Sequence, residues 1–265
     1  MNSITQYVLD IRNLQITYGN NIPAIKHVSL HLKKGEILAI VGESGSGKTS
    51  VIRAVQDCLP AGGSVTDGEI LFFGENLLCK TDAQKRALCG TRISMIFQDT
   101  GSMLNPIKPI GTQFHDYLQA HCSDSEENLQ KQMVSMIQRV HLFNPESILH
   151  SYPFELSGGM RQRIGIAMAV SLSPDLLLAD EPTSALDVTM QAQIVKEMMS
   201  VCKETGTSII IVTHNLGVAA YMADFIMVMK NGVPVEYGLS ESIIRHPQHT
   251  YTRMLLDAVP DTEGL

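Results

Sequence analysis

The chain has 265 residues, and its 20 Lys+Arg against 27 Asp+Glu give a formal charge of −7 with no basic block, which excludes nucleic acid as the expected partner. The N-terminus carries Asp10 and Arg12 and lacks a leader pattern, and the most apolar late stretch, Gly217 to Met229, is broken by Asp224 and too short to span a bilayer, so a soluble, cytoplasmic chain of one large α/β domain is expected. Cys58, Cys79, Cys89, Cys122 and Cys202 lie far apart without C-x-x-C spacing, which excludes a disulfide framework and a zinc or iron–sulfur site.

In chain order, Val8 to Thr17 alternates apolar and polar and reads as an edge strand ending at Tyr18-Gly19. Ala24 to Leu32 alternates again and turns at Lys33-Lys34-Gly35 into the apolar run Glu36–Val41, so a β-hairpin precedes a parallel core. The octet Gly42-Glu43-Ser44-Gly45-Ser46-Gly47-Lys48-Thr49 then fits G-x-x-x-x-G-K-[ST], with a strand before it and the helical Ser50–Val55 after it. Its glycines let backbone N–H groups face phosphate oxygens, Lys48 adds a charge at the β/γ phosphates, and the Thr49 hydroxyl is a ligand for Mg²⁺. A nucleoside triphosphate with magnesium is the expected ligand.

A short strand over Gly68–Phe73, a helix over Thr81–Leu88 and a strand over Arg92–Phe97 follow, the last ending at Gln98 in a polar loop that can deliver a side chain to a site. Apolar residues recur at helical steps from Ile110 to about Asn144, divided by Ser123–Glu127, which supplies an N-cap; Met133 and Met136 read as core filler. Leu156-Ser157-Gly158-Gly159-Met160 opens another helix, with Ser157 as N-cap and two glycines baring a second anion-type helix terminus. The buried strand Leu176–Ala179 ends in Asp180 and Glu181, carboxylates suited to holding Mg²⁺ and to orienting or deprotonating a water. Ser184–Asp187 is a turn, Thr189–Glu204 a helix, and the strand Ser208–Val212 ends at Thr213-His214, where the histidine becomes a donor to the γ-phosphate. Asp224–Met229 and Val233–Tyr237 form a hairpin about Asn231-Gly232.

These pieces in this order resemble the nucleotide-binding subunits of ATP-binding cassette (ABC) transporters over nearly the whole chain, and Leu156–Met160 is the most specific element. The resemblance implies the P-loop NTPase fold of ABC ATPases, with a mainly parallel core sheet, an N-terminal antiparallel β subdomain and a helical insert. Its expected division is 1–98 (β subdomain and first part of the ATP-binding core), 99–172 (helical subdomain), 173–238 (remainder of the core) and 239–265 (short helical tail). It implies adenine stacking by Tyr18, and ATP contacts from Gly42, Ser44, Gly45, Gly47, Lys48, Thr49 and Ser50. It makes Gln98 the Q-loop glutamine, with Thr49, Gln98 and Asp180 as the Mg²⁺ set, Glu181 the catalytic glutamate, His214 the switch histidine and Asp187 a D-loop residue. Ser157, Gly158 and Gly159 would then meet the ATP held by a partner, because two such subunits close head to tail.

The tail Arg245–Leu256, with His246-Pro247, Tyr251-Thr252 and Leu255-Leu256, resembles the oligopeptide, dipeptide and nickel importer group. An insertion at Gln248-His249-Thr250 departs from that pattern, and Asn215 stands where the group has Asp, a change that leaves hydrolysis expected. No cysteine-bearing extension follows Pro260, which argues against an iron–sulfur cluster, and His249 near His246 reads as packing or capping of a short helix rather than as a metal pair. The resemblance thus implies a Mg-dependent ATPase at the cytoplasmic face of the membrane. Its implied partners are an unlike homologous ATPase subunit, two transmembrane permease subunits and, indirectly, an extracytoplasmic binding protein that selects peptides or nickel.

Overall fold

The computed structural model describes residues 7–98, 103–184 and 188–258, with side chains throughout except at 188 and 189. It divides into two compact units, one of residues 1–89 and 208–265 and one of residues 90–207.

The first unit opens with the antiparallel strands β1 (Leu9–Tyr18) and β2 (Ile22–Leu32), then β3 (Ile37–Val41), the glycine-rich loop and α1 (Lys48–Val55), and then β4 (Gly63–Phe72), β5 (Glu75–Asn76) and α2 (Asp82–Leu88). One sheet has the order β2-β1-β4-β5. Leu9, Ile11, Leu14 and Ile16 are all buried although one of the steps between them is three residues. A register shift between Ile11 and Leu14 absorbs the extra residue, with Asn13 at φ +51° and its side-chain oxygen 2.6 Å from His27 Nδ1. β4 starts five residues earlier than the apolar pattern suggests. Gly63, Ser64 and Val65 pair with Tyr18, Thr17 and Ile16, so backbone pairing extends a strand whose own side chains do not alternate.

The second unit contains β6 (Ile93–Ile96), α3 (Ile110–Gln119), α4 (Glu126–Arg139), α5 (Pro145–His150), α6 (Gly158–Val170), β7 (Leu176–Asp180) and α7 (Val188–Thr205). Ile110, Phe114 and Leu118 make a fully buried stripe at four-residue steps on α3, and Met133 and Met136 lie in the core as expected. Ser125 caps α4, its hydroxyl accepting from Asn128 N at 3.4 Å, and Glu126 and Glu127 complement the helix dipole. The sequence reading lacks α5, because six residues are too few to show a helical period; Pro145 starts it after Asn144 at φ +56°. β6 and β7 pair in parallel, Ile96 opposite Ala179. Cys202 is buried in α7, and burial pushes its thiol up to about 12, so it is inert filler.

The chain returns to the first unit with β8 (Ser208–Thr213), α8 (Leu216–Met222), β9 (Phe225–Lys230), β10 (Val233–Leu239), α9 (Ser240–Arg245) and α10 (Thr250–Asp257). These strands are ordered β10-β9-β3-β8, with β3 parallel to both β8 and β9 and with β10 antiparallel to β9. Continuous burial of Leu38–Val41, Ile209–Val212 and Ile226–Met229 marks strands covered on both faces. The apolar stretch 217–229 is a helix and a strand rather than one segment. Asp224 divides them by exchanging bonds with Ile37, accepting from its N–H at 2.8 Å and donating its own N–H to its carbonyl at 2.9 Å. Among the described residues no helix is long and apolar enough to cross a membrane.

Candidate active site

In the first unit the site is set by the carboxyl ends of β3 and β8. Val41 lies opposite Thr213, so the next residues, Gly42 and His214, leave the sheet side by side, and His214 is exposed there. Gly42 has φ +148°, and a Cβ on it would stand 2.2 Å from the Met229 carbonyl oxygen, so this close passage over β9 admits only glycine. Gly47 starts α1 at φ +97°, against Ile25. Lys48, almost wholly buried, turns its ammonium back into the loop, donating to the carbonyls of Gly42 and Glu43 at 2.8 Å each. The loop is thus wound about its own cation. Tyr18 is brought to this helix: its hydroxyl lies 3.0 Å from that of Ser50, and its ring packs against Gly63. Thr49, the second residue of α1, is half-buried, and its hydroxyl is an oxygen donor of the kind Mg²⁺ takes.

Two further supports of the loop come from the β9–β10 turn and from α10. The Asn231-Gly232 turn, with both residues at positive φ, has the expected hairpin form. It also donates Gly232 N–H to the Ser46 carbonyl at 3.0 Å and accepts from Lys26 N at 2.8 Å. Tyr251 in α10 accepts from Glu43 N–H at 3.1 Å. Neither role has a local signature, since each partner is distant in sequence. His249 does cap α10, its Nδ1 accepting from Tyr251 N at 3.1 Å.

In the second unit the parallel pair β6–β7 sends Gln98 and the Asp180-Glu181 pair out of one edge. Gln98 Nε2 donates to Glu181 Oε2 at 3.3 Å. Asp180 is buried, while Glu181 is half-exposed with φ +44°, a left-handed conformation rare for a residue with a side chain and one that stores strain at functional positions. Asp180 and Gln98 carry oxygen donors of the kind a hard cation takes. Gln162, buried on α6, donates to the Pro182 carbonyl at 2.6 Å, which ties the helix after Ser157 to the backbone following Glu181. The polar run of α6 gave no sign of this bond.

Ser157 caps α6 as expected, its hydroxyl accepting from Met160 N at 3.3 Å. Ser157 and Gly158 are exposed, and a Cβ on Gly158 would meet nothing within 4 Å. Arg161 holds the preceding turn through the carbonyls of Leu156 (2.6 Å) and Pro153 (3.3 Å). Arg163 pairs with Glu197 of α7 at 3.3 Å, both buried, and burial raises the Glu197 carboxyl above its ordinary value although Arg163 opposes the shift. Asp187 lies outside the described residues. Among the described residues no group of three His, Cys, Asp or Glu side chains forms a metal cluster.

Asn215 caps α8 with its side-chain oxygen, accepting from Gly217 N at 2.9 Å and Val218 N at 3.2 Å. Asparagine and aspartate cap equally well, so the departure at this position conserves the structural task.

The family profile described as ABC transporter matches residues 25–184. The chain is 44% identical over 257 residues to the dipeptide transport ATP-binding protein DppD of Bacillus subtilis, covering 96% of this chain and 77% of that one. It is also 44% identical over 261 residues to the oligopeptide transport ATP-binding protein OppD of the same organism, covering 97% of this chain and 73% of that one. The fold is similar to the dimeric post-hydrolysis state of the ATP-binding cassette MJ0796 bound to ADP and Pi, with a TM-score of 0.77 at 26% identity, covering 88% of this chain and 98% of that one. It is likewise similar to CbiO1 of Clostridium perfringens, part of a CbiONQ transporter complex, with a TM-score of 0.79 at 25% identity, covering 91% and 92%.

Proposed function

Because the chain belongs to the ABC transporter family and is an ATP-hydrolysing subunit of an importer, we propose that it powers uptake of short peptides by closing on a second, unlike ATPase subunit around bound ATP. The observation that carries this reading is a pair of phosphate-seeking helix starts in one chain. One, at Gly47-Lys48, is wound into the glycine-rich loop; the other, at Ser157-Gly158, is exposed and open. An open anion site at a helix terminus suits a ligand brought by another molecule.

In this reading the loop amides and Lys48 bind the β and γ phosphates, Tyr18 stacks on adenine, and Ser157 and Gly159 close on the γ-phosphate of the partner's ATP. Glu181, aimed by Gln98, orients a water and takes its proton as the oxygen attacks the γ-phosphorus, and the bond to the ADP oxygen breaks. His214 and Lys48 hold charge on the transferred group. Thr49, Asp180 and Gln98 would hold Mg²⁺, which neutralises phosphate charge when bound. Release of phosphate and ADP loosens the pair, and that motion is passed to two permease subunits, which hold this chain at the cytoplasmic face of the membrane. The names of the relatives favour peptide cargo over nickel.

The test is ATP hydrolysis by the complex reconstituted with its permeases, second ATPase and binding protein. Dipeptides or oligopeptides are expected to raise turnover severalfold. Stimulation by nickel alone would overturn the peptide assignment.

A further inference from the structure

We infer that Tyr251 of the C-terminal helix is a positioning residue for the phosphate loop, so that the tail sets how tightly this chain holds nucleotide. The inference rests on reading Gly42–Thr49 as the phosphate site of ATP. Glu43 sits at the entrance to that loop, and both of its backbone polar groups are held. Its carbonyl accepts from Lys48 Nζ at 2.8 Å and from Ser46 N at 3.2 Å, and its N–H donates to Tyr251 Oη at 3.1 Å. The lysine contact is conditional, because the ammonium that serves the Gly42 and Glu43 carbonyls is also the one that serves phosphate oxygens. The tyrosine contact does not draw on the Lys48 ammonium. When Lys48 turns toward phosphate, the hydroxyl from the tail remains on Glu43.

Tyr251 is itself fixed from three directions. It is buried, the Lys230 ammonium lies 4.5 Å from its ring centroid, and its backbone N–H is capped by His249. The segment that leads into α10 is tethered to β10 by Glu236, whose carboxylate accepts from Gln248 N at 2.7 Å and His249 N at 3.1 Å. Arg253 closes the same turn through the carbonyls of Pro247 (3.1 Å) and Gln248 (3.2 Å). A line of bonded groups therefore runs from β10 through the tail turn to the backbone of the loop. Holding one peptide unit in its binding geometry before the ligand arrives lowers the ordering cost of binding and leaves the chemical step unchanged.

Tyr251→Phe removes the hydroxyl and keeps the ring beneath Lys230. In the assembled complex it is expected to raise KM for MgATP and Kd for MgADP by about three- to tenfold, the worth of one ordinary hydrogen bond, with kcat within about twofold. Melting within about 4 °C of the parent marks an intact fold. Glu236→Gln is expected to weaken MgADP in the same direction, and the double variant by less than the product of the two effects, since both act along one line of contacts. Unchanged KM and Kd in Tyr251→Phe, alongside lost nucleotide binding in Lys48→Ala, would overturn the role of the tail and leave the phosphate site standing. A loss of kcat at unchanged KM would also overturn it. Full MgATP binding by Lys48→Ala would instead overturn the reading of the loop itself.

Discussion

Glu181 combines features that a structural carboxylate does not need. It directly follows a buried strand end, takes a left-handed backbone conformation at φ +44°, and receives a bond from Gln98. A left-handed residue that bears a side chain costs on the order of 1–3 kcal/mol, which the surrounding bonds must hold in place. Ser184 contributes to this through its N–H and hydroxyl, both 3.2 Å from the Glu181 carbonyl. Glu181→Gln keeps the size and the Gln98 contact and removes the base. The variant should bind ATP and lose about 10²–10⁴-fold in hydrolysis, measured as phosphate release by the assembled complex. Turnover equal to the parent would remove Glu181 from proton transfer.

At the scale of elements, the tail turn is held by a charge. Burial alone raises the Glu236 carboxyl, but the N–H of Gln248, the Thr252 hydroxyl and the N–H of His249 together hold it below its ordinary value. A lowered value in the folded chain means that this contact stabilises fully above the ordinary glutamate range, near pH 4.5, and is lost as pH falls through the lowered value. Glu236→Gln should therefore be less stable than the parent at pH 7 and converge toward it as pH falls through the lowered value. Urea midpoints across that range check this, and parallel curves would show that the charge does not matter. The β9–β10 turn illustrates the same economy, since its two left-handed residues both reverse the chain and supply the Gly232 N–H that braces Ser46.

For the whole molecule, the decisive question is what meets the open start of α6. Ser157 and Gly158 are exposed there, while Gly159 is buried and the helix behind them is locked by Gln162 to the backbone after Glu181 and by Arg163 to Glu197. A rigid, open anion site is suited to a second subunit's nucleotide. Ser157→Arg, made in this chain alone, should cut hydrolysis at least about tenfold in the mixed pair, the loss expected for a removed transition-state donor. Binding of MgADP to this chain's own loop should persist. Loss of that binding with the partner's site intact would contradict closure in trans.

The sequence by itself determined the glycine-rich loop, the Ser157 cap, a cap within Ser123–Glu127 and the carboxylate-ended strand. Each is written in neighbouring residues: a turn needs glycine where φ is positive, a cap needs a short oxygen-bearing side chain, and a doubly covered strand needs an unbroken apolar run. The six-residue α5 and the early start of β4 were not legible, because one is shorter than a period and the other is held by pairing with β1. Only the tertiary structure decided that Val41 stands beside Thr213, that Gln98 reaches Glu181, and that Tyr251 touches Glu43 across 208 residues. Those contacts follow from strand register and helix placement, which depend on how the whole apolar surface is buried and not on any stretch read alone.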